Sequence, residues 1–329
     1  MAGSAKILPG EFELIARLCA GIRPGRGTII GPGDDCAVLA PRRRPILFTI
    51  DSMVEGVHFK LKWAAPHLFG ARALTVNLSD IAAMGGRPAA CVVNLALPKR
   101  TSLAEIEGLY TGLRRAARMA GVDIVGGNIT RASELSITIA LIGYLEGRAM
   151  RRDTARPGDE VFVTGTIGDA AIGWRILAGK FRTLAPFSRK HLVERYVRPA
   201  ARLLAGERLA GFSKTPTAID ISDGLLQDLG HILEQSRVGA DISPAAIPLS
   251  TAYRKAIGDD LSLALFGGED YELLFCLPPG HTEAELSRRL QIPVHRIGKI
   301  VRGRRLTLDG KVAPRMAGWD HFRRFGAAR

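Results

Sequence analysis

Leu135-Ser136-Ile137-Thr138-Ile139-Ala140-Leu141-Ile142-Gly143-Tyr144-Leu145 is followed by a basic stretch, Arg148 to Asp159, and then by Val161-Phe162-Val163-Thr164. The first run is too apolar and too β-branched for a surface loop and reads as a long strand. The basic stretch carries a Pro157-Gly158 turn and changes the composition abruptly, so it marks a domain boundary. A second strand starts straight after it. The expectation is two domains, 1–149 and 150–329, with α+β or α/β architecture.

Helical and strand patterns alternate on both sides of that boundary. Before it, Glu11 to Ala20, His67 to Met84 and Ser102 to Ala120 have helical periodicity. Pro45 to Asp51, Ala90 to Leu97 and Val122 to Val125 read as strands. Gly85-Gly86 and Gly121 stop two of the helices, and Gly126-Gly127 reads as a turn. Beyond the boundary, helices are expected at Lys190 to Val197, Ala200 to Ala210 and Gly224 to Gln235. Strands are expected at Ala218 to Ser222 and Tyr271 to Leu277, with short strands towards the C-terminus.

The chain has 329 residues, room for two domains at about 150 residues each. It is 47% hydrophobic and 24% charged, which excludes wholesale disorder. No stretch reaches the roughly 18 uninterrupted apolar residues of a membrane span, and Met1 to Gly10 lacks a signal-peptide pattern. A soluble cytoplasmic protein with no membrane association is expected. The four cysteines show neither CxxC spacing nor a nearby His at zinc-ligand spacing. A net charge of +14 invites a nucleic-acid reading. Arginine is scattered along the chain, however, and aromatics are only 6%, without the cluster of an RNA-binding sheet. No nucleic-acid partner is expected. A basic surface equally suits anionic, phosphorylated substrates.

The acids sit at strand ends and in glycine-rich turns: Asp34 and Asp35, Asp51, Asp80, Asp220 and Asp223, Glu269 and Asp270. Singly, each has a structural explanation. Asp34-Asp35 could be an ordinary turn, Ser222 or Asp223 a helix N-cap, and Asp270 the end of a turn. Together they form a set of carboxylates that repel unless a cation joins them. Mg²⁺ is the natural partner for such ligands and a common handle on a triphosphate. The glycine segments Gly126-Gly127-Asn128 and Gly165-Thr166-Ile167-Gly168 could bring backbone N–H groups to phosphate oxygens. No GxxxxGK[ST], kinase or GxSxG motif is present.

In chain order the motifs are Gly-Asp-Asp-Cys-Ala (33–37), Asp-Ser-Met-Val-Glu-Gly-Val-His-Phe (51–59), Asn-Leu-Ser-Asp-Ile-Ala-Ala-Met-Gly (77–85), Gly-Gly-Asn (126–128), Asp-Ile-Ser-Asp-Gly-Leu (220–225), Gly-Gly-Glu-Asp-Tyr-Glu-Leu (267–273) and Trp-Asp-His-Phe (319–322). This set resembles the thiamine-monophosphate kinase family of the aminoimidazole-ribonucleotide-synthetase-like superfamily. The resemblance implies transfer of phosphate from ATP to thiamine monophosphate, giving thiamine diphosphate. It implies an N-terminal mixed sheet that forms a barrel across a homodimer and binds ATP and metal. It also implies a C-terminal α/β domain that completes a site in the cleft between domains. By resemblance, Asp35, Asp51, Asp80, Asp220 and Asp223 are Mg²⁺ ligands with Thr49 as helper, and Asn128 takes a further metal position. Gly127, Arg152 and Ser222 contact ATP, and His58, Glu269 and Trp319 contact the thiamine portion. No protein nucleophile is needed, because the acceptor phosphate is already nucleophilic. Trp319 suits a cationic heterocycle, and Arg152 suits a phosphate.

Two positions depart from the family pattern. Asn128 stands where Asp is usual, and Ile50 where Thr often precedes the strand-end Asp. The alternatives are another ATP-dependent member of the superfamily or a catalytically inactive nucleotide-binding relative. Selenophosphate synthetase is disfavoured because Cys19 lies in a helical pattern, and the hydrogenase-maturation enzyme because the chain ends Gly-Ala-Ala-Arg.

Overall fold

A computed structural model describes residues 10–23, 25, 27–32 and 36–314. Two of the expected site residues, Asp35 and Trp319, lie outside the described residues. The chain forms two compact units: residues up to Ile81 with Arg87–Glu146, and Ala82–Gly86 with residues from Gly147 onward.

The first unit contains α1 (Glu11–Cys19), β1 (Thr28–Ile30), β2 (Val38–Leu39), β3 (Ile46–Val54), α2 (Pro66–Ala83), β4 (Gly86–Leu97), α3 (Leu103–Ala120), β5 (Asp123–Arg131) and β6 (Ser136–Leu145). Its main sheet has the order β3-β6-β4-β5, with β3 antiparallel to β6 and β4 parallel to β5. Helix α3 begins at a capping box, in which Ser102 and Glu105 satisfy each other's backbone N–H groups. It ends at Gly121 in the left-handed conformation. Helices α2 and α3 pack through glycine: a Cβ on Gly70 would strike the Leu109 carbonyl, and one on Gly112 the His67 carbonyl.

Strand β3 alternates strictly. Thr49, Asp51 and Met53 face inward, whereas Ile46, Phe48 and Ile50 are 63%, 72% and 61% exposed. Three large apolar residues in a row on an edge strand form a patch that water does not favour.

The glycine pair at 126–127 is not a turn. It runs on inside β5, with Gly126 opposite Val92, Gly127 opposite Val93 and Asn128 opposite Asn94. Close strand approach explains the glycine: a Cβ on Gly127 would collide with the Val93 carbonyl, beside a register shift at Cys91/Val92.

The second unit contains β7 (Glu160–Thr164), α4 (Asp169–Leu177), α5 (Pro186–Val197), α6 (Leu203–Ala210), β8 (Thr217–Asp220), α7 (Leu225–Ser236), β9 (Gly239–Ile242), α8 (Thr251–Ile257), α9 (Ser262–Phe266), β10 (Leu273–Leu277), α10 (Glu283–Leu290), β11 (Val294–Val301), β12 (Leu306–Leu308) and β13 (Lys311–Val312). Its sheet order is β13-β12-β9-β11-β7-β10-β8. Every junction is antiparallel except β9–β12, so this unit is α+β, not the α/β layer expected. Both faces of the central strands are buried. Val161 and Val163 enter one core with residues of α4, α7 and α8, and Phe162 enters another with residues of α6 and α10. Leu274 and Cys276, and Leu273 and Phe275, divide in the same way. That two-sided burial is why β7 and β10 read as continuous apolar runs. Among the described residues no helix is long and apolar enough to cross a membrane.

Candidate functional site

In the first unit, β3 and α2 bring Thr49 and Asp80 together: the Thr49 hydroxyl donates to Asp80 Oδ2. Asp51 lies two residues along β3, on the same inward face. Beside them Asn77 is fully buried. Its Nδ2 donates to the Ala73 carbonyl at 3.0 Å, and its Oδ1 has no hydrogen-bond partner among the described residues. Carboxylate, hydroxyl and amide oxygens are hard donors, the set that Mg²⁺ prefers.

Asn128 and Gly127 do not join that group. They lie on β5, three strands across the sheet from β3, which is about 14 Å at the usual strand spacing. Asn128 instead donates from Nδ2 to Asn94 Oδ1 at 3.2 Å. His58 closes the turn after β3, with the Val54 N–H donating to its Nδ1 at 3.0 Å. That bond makes Nδ1 an acceptor and leaves the proton of the neutral ring on Nε2.

In the second unit, β8 ends on the buried Asp220, and the loop 221–224 leads into α7. Neither Ser222 nor Asp223 caps that helix. The N-cap is Gly224, at φ 126°, where a Cβ would crowd Phe266. The loop is held instead from inside by Asp228. Its Oδ2 accepts the N–H groups of Ser222, Asp223 and Gly224 at 3.0, 3.1 and 3.1 Å. Burial first, then the charges of Asp220 and Asp223, push the Asp228 carboxyl up to about 8, against the pull of the loop N–H groups. Gln227 Nε2 donates to Asp223 Oδ2 at 3.1 Å. One ligand atom each from Asp223, Asp228 and His231 lies within 4.8 Å of the others. Crowded carboxylates beside an imidazole fit a cation chemically.

Glu269 is brought to this loop. Its N–H donates to the Ser222 carbonyl at 2.8 Å, and the Tyr271 N–H donates to the Ile221 carbonyl at 2.8 Å. Arg152 stands apart from it. The Ser236 hydroxyl at the end of α7 donates to the Arg152 carbonyl at 2.7 Å. Ser236 lies eight residues beyond Asp228, about 12 Å along the helix.

The Gly165–Gly168 segment is not open to phosphate through these amides. The Gly165 N–H donates to Pro293, the Ile167 N–H to Pro248, and the Gly168 N–H to Asp270 Oδ2 at 2.7 Å. Asp270 is therefore the buried cap of α4 rather than the end of a turn.

The chain matches the family model for the AIR synthase related protein N-terminal domain over residues 33–145 and that for the C-terminal domain over 156–311. It is 37% identical to the thiamine-monophosphate kinase of Salmonella typhimurium over 325 residues, 95% of this chain and 98% of the relative. The thiamine-monophosphate kinase of Escherichia coli K12 is 38% identical over 331 residues, with the same coverage of each chain. The chain belongs to the thiamine-monophosphate kinase family. The solved thiamine-monophosphate kinase of Stenotrophomonas maltophilia K279a matches it with a TM-score of 0.82 at 38% identity, covering 92% of this chain and 98% of that one. A structure described as AaThiL complexed with AMPPCP and TMP matches with a TM-score of 0.77 at 33% identity, covering 95% and 97%. The mixed α+β fold in two units is that of the thiamine-monophosphate kinase structures.

Asp228 was not singled out from sequence, and Asp270 was noted only as one of the acids in a glycine-rich turn, with no role of its own at the site. The available signal was an acid embedded among apolar neighbours: Asp228 among Leu225, Leu226 and Leu229, and Asp270 just before the apolar β10.

Proposed function

We propose that this protein transfers the γ-phosphoryl group of ATP directly to the phosphate of thiamine monophosphate, giving thiamine diphosphate and ADP. The observation that carries the reading is the near full-length likeness to AaThiL complexed with AMPPCP and TMP, a protein holding an ATP analogue and TMP together. The acids within β3, in the last turn of α2 and at the end of β8 support it. Thr49, Asp51, Asp80, Asp220 and Asp223, with Asp35, would hold Mg²⁺, which neutralises the polyphosphate charge when bound, and Asn128, across the sheet on β5, would meet a separate Mg²⁺. Gly127, Ser222 and Arg152 contact ATP, with Arg152 serving a part of the nucleotide remote from the Ser222 loop. His58, Glu269 and Trp319 contact the thiamine portion, with Glu269 opposite its positive charge.

No side chain serves as nucleophile or general base in this mechanism. The acceptor phosphate is already an anionic nucleophile, so the protein aligns it with the γ-phosphorus and holds both polyanions in place. The exposed face of β3 supports a homodimer, in which Ile46, Phe48 and Ile50 are covered by the twin strand and the two sheets close into a barrel. Purified protein incubated with Mg²⁺, ATP and thiamine monophosphate should yield thiamine diphosphate and no labelled protein from γ-labelled ATP. A trapped phosphoenzyme counts against direct transfer, and phosphorylation of some other substrate instead counts against the whole reading.

A further inference from the structure

Gly268, Glu269 and Tyr271 all have left-handed backbone conformations, at φ 65°, 69° and 52°. Glycine adopts this freely, but a glutamate and an aromatic residue do so at a cost, and such residues persist only when their surroundings hold them. The holding groups alternate with the strained ones. Asp270, fully buried, caps α4 by accepting from Gly168 N–H at 2.7 Å and Ala170 N–H at 3.5 Å. Glu272, also fully buried, accepts from the Thr164 hydroxyl at 2.6 Å, from Arg195 Nη2 at 2.7 Å and from the Arg202 guanidinium. Between these anchors the Tyr271 hydroxyl reaches Glu269 Oε2 at 3.4 Å.

We infer that Asp270 and Tyr271 are positioning residues for Glu269: Asp270 fixes the backbone that presents it, and Tyr271 fixes its carboxylate. This rests on the reading of Glu269 as a contact to the cationic part of the thiamine substrate. Gly268 fits the same account, because a Cβ there would strike the Ser222 carbonyl and crowd Asp223, so residue 268 lets the two loops touch. The Ser222 loop has its own support in Asp228, independent of Asp270. Loosening Glu269 should therefore weaken thiamine monophosphate binding and spare ATP.

The test compares Asp270→Asn, Tyr271→Phe and Glu269→Gln for KM with each substrate, alongside melting temperature. Asp270→Asn should raise KM for thiamine monophosphate about tenfold and Tyr271→Phe about threefold, with KM for ATP changed by less than about twofold. Tyr271→Phe keeps shape and burial, so it decides the matter alone if Asp270→Asn does not fold. If Glu269→Gln raises KM for thiamine monophosphate while Asp270→Asn and Tyr271→Phe do not, the positioning role is wrong and the substrate contact stands. Equal rises in both KM values also overturn it, since a merely structural role predicts that. If Glu269→Gln leaves KM for thiamine monophosphate unchanged, the substrate contact and the positioning role fall together.

Discussion

Asp228 Oδ2 lies 3.0 Å from the backbone nitrogen of Ser222, at the centre of a three-amide cradle that it fills with a single oxygen. The 221–224 loop is tied from the other side by the N–H groups of Glu269 and Tyr271, which donate to the Ser222 and Ile221 carbonyls. Asp228→Ala leaves three N–H groups without their acceptor, a loss on the order of 3 kcal/mol in urea unfolding. It should also raise KM for ATP, because Ser222 and Asp223 lose their presentation. Asp228→Asn, which keeps one carbonyl oxygen, should lose less on both counts. An Asp228→Ala protein as stable as the parent would show that other contacts hold the loop.

The proposed reaction gives the carboxylates at 80 and 220 to metal rather than to folding. Asp80→Asn still accepts from the Thr49 hydroxyl, and Asp220→Asn removes a charge that Asp228 feels. Each should lower kcat by about 100-fold or more, with little change in melting temperature without ligand. Full activity, or plain unfolding, returns these residues to a structural role.

Phe48, at 72% exposure, is the most exposed of the three apolar residues on the outer face of β3. Phe48→Lys should convert the proposed dimer to a monomer at micromolar concentration, read by light scattering. It should alter the stability of the single chain little, since most of the side chain is exposed in it. A parent protein that is already monomeric defeats the dimer proposal.

Asn128 faces Asn94 across β4 and β5, and an aspartate there can accept from the same partner. Asn128→Asp should lower the Mg²⁺ concentration for half-maximal activity and leave the substrate unchanged. Activity appearing only in the variant would mark the natural protein as inactive. No change at all would leave residue 128 as a strand position.

Burial pushes the Asp270 carboxyl up to about 8. Gly168 N–H and Arg195 act against this, while Asp169 and Glu272 add to the rise. The folded chain thus holds that proton at pH values where the unfolded chain releases it. Its contribution is complete below pH about 4 and is lost as pH rises through about 8, by at most about 1.4 kcal/mol per pH unit. The melting temperature should fall between pH 5 and 8 more steeply in the parent than in Asp270→Asn, by about one proton's worth. Parallel curves would contradict the assignment.

Much of the first unit was legible because its long elements carry strong periods. Helices α2 and α3 and strands β3 and β6 fall within a few residues of their expected positions. The glycine pair at 126–127 misled, because the need for Gly127 comes from the Val93 carbonyl on the neighbouring strand β4, far away in sequence, and leaves no local trace. Beyond β8, elements such as β9, α8 and α10 are too short for a period to stand out. At the site, Asp220 and Asp223 announced themselves beside glycine at a strand end. Asp228 did not, and Asp270 stood out only for its glycine-rich turn and not for its capping of α4, since a carboxylate that serves backbone N–H groups inside a core looks in sequence like any acid on a helix or turn.

The outer face of β3 has a bearing on how the protein is made. Ile46, Phe48 and Ile50 lie on an edge strand, so each newly synthesised chain carries an adhesive strip from the moment its sheet forms. Until something covers the strip, chains at high local concentration can pair there in the wrong register. Slow expression at low temperature should therefore recover more usable protein than rapid overproduction, and replacing Phe48 with a charged residue should narrow that gap.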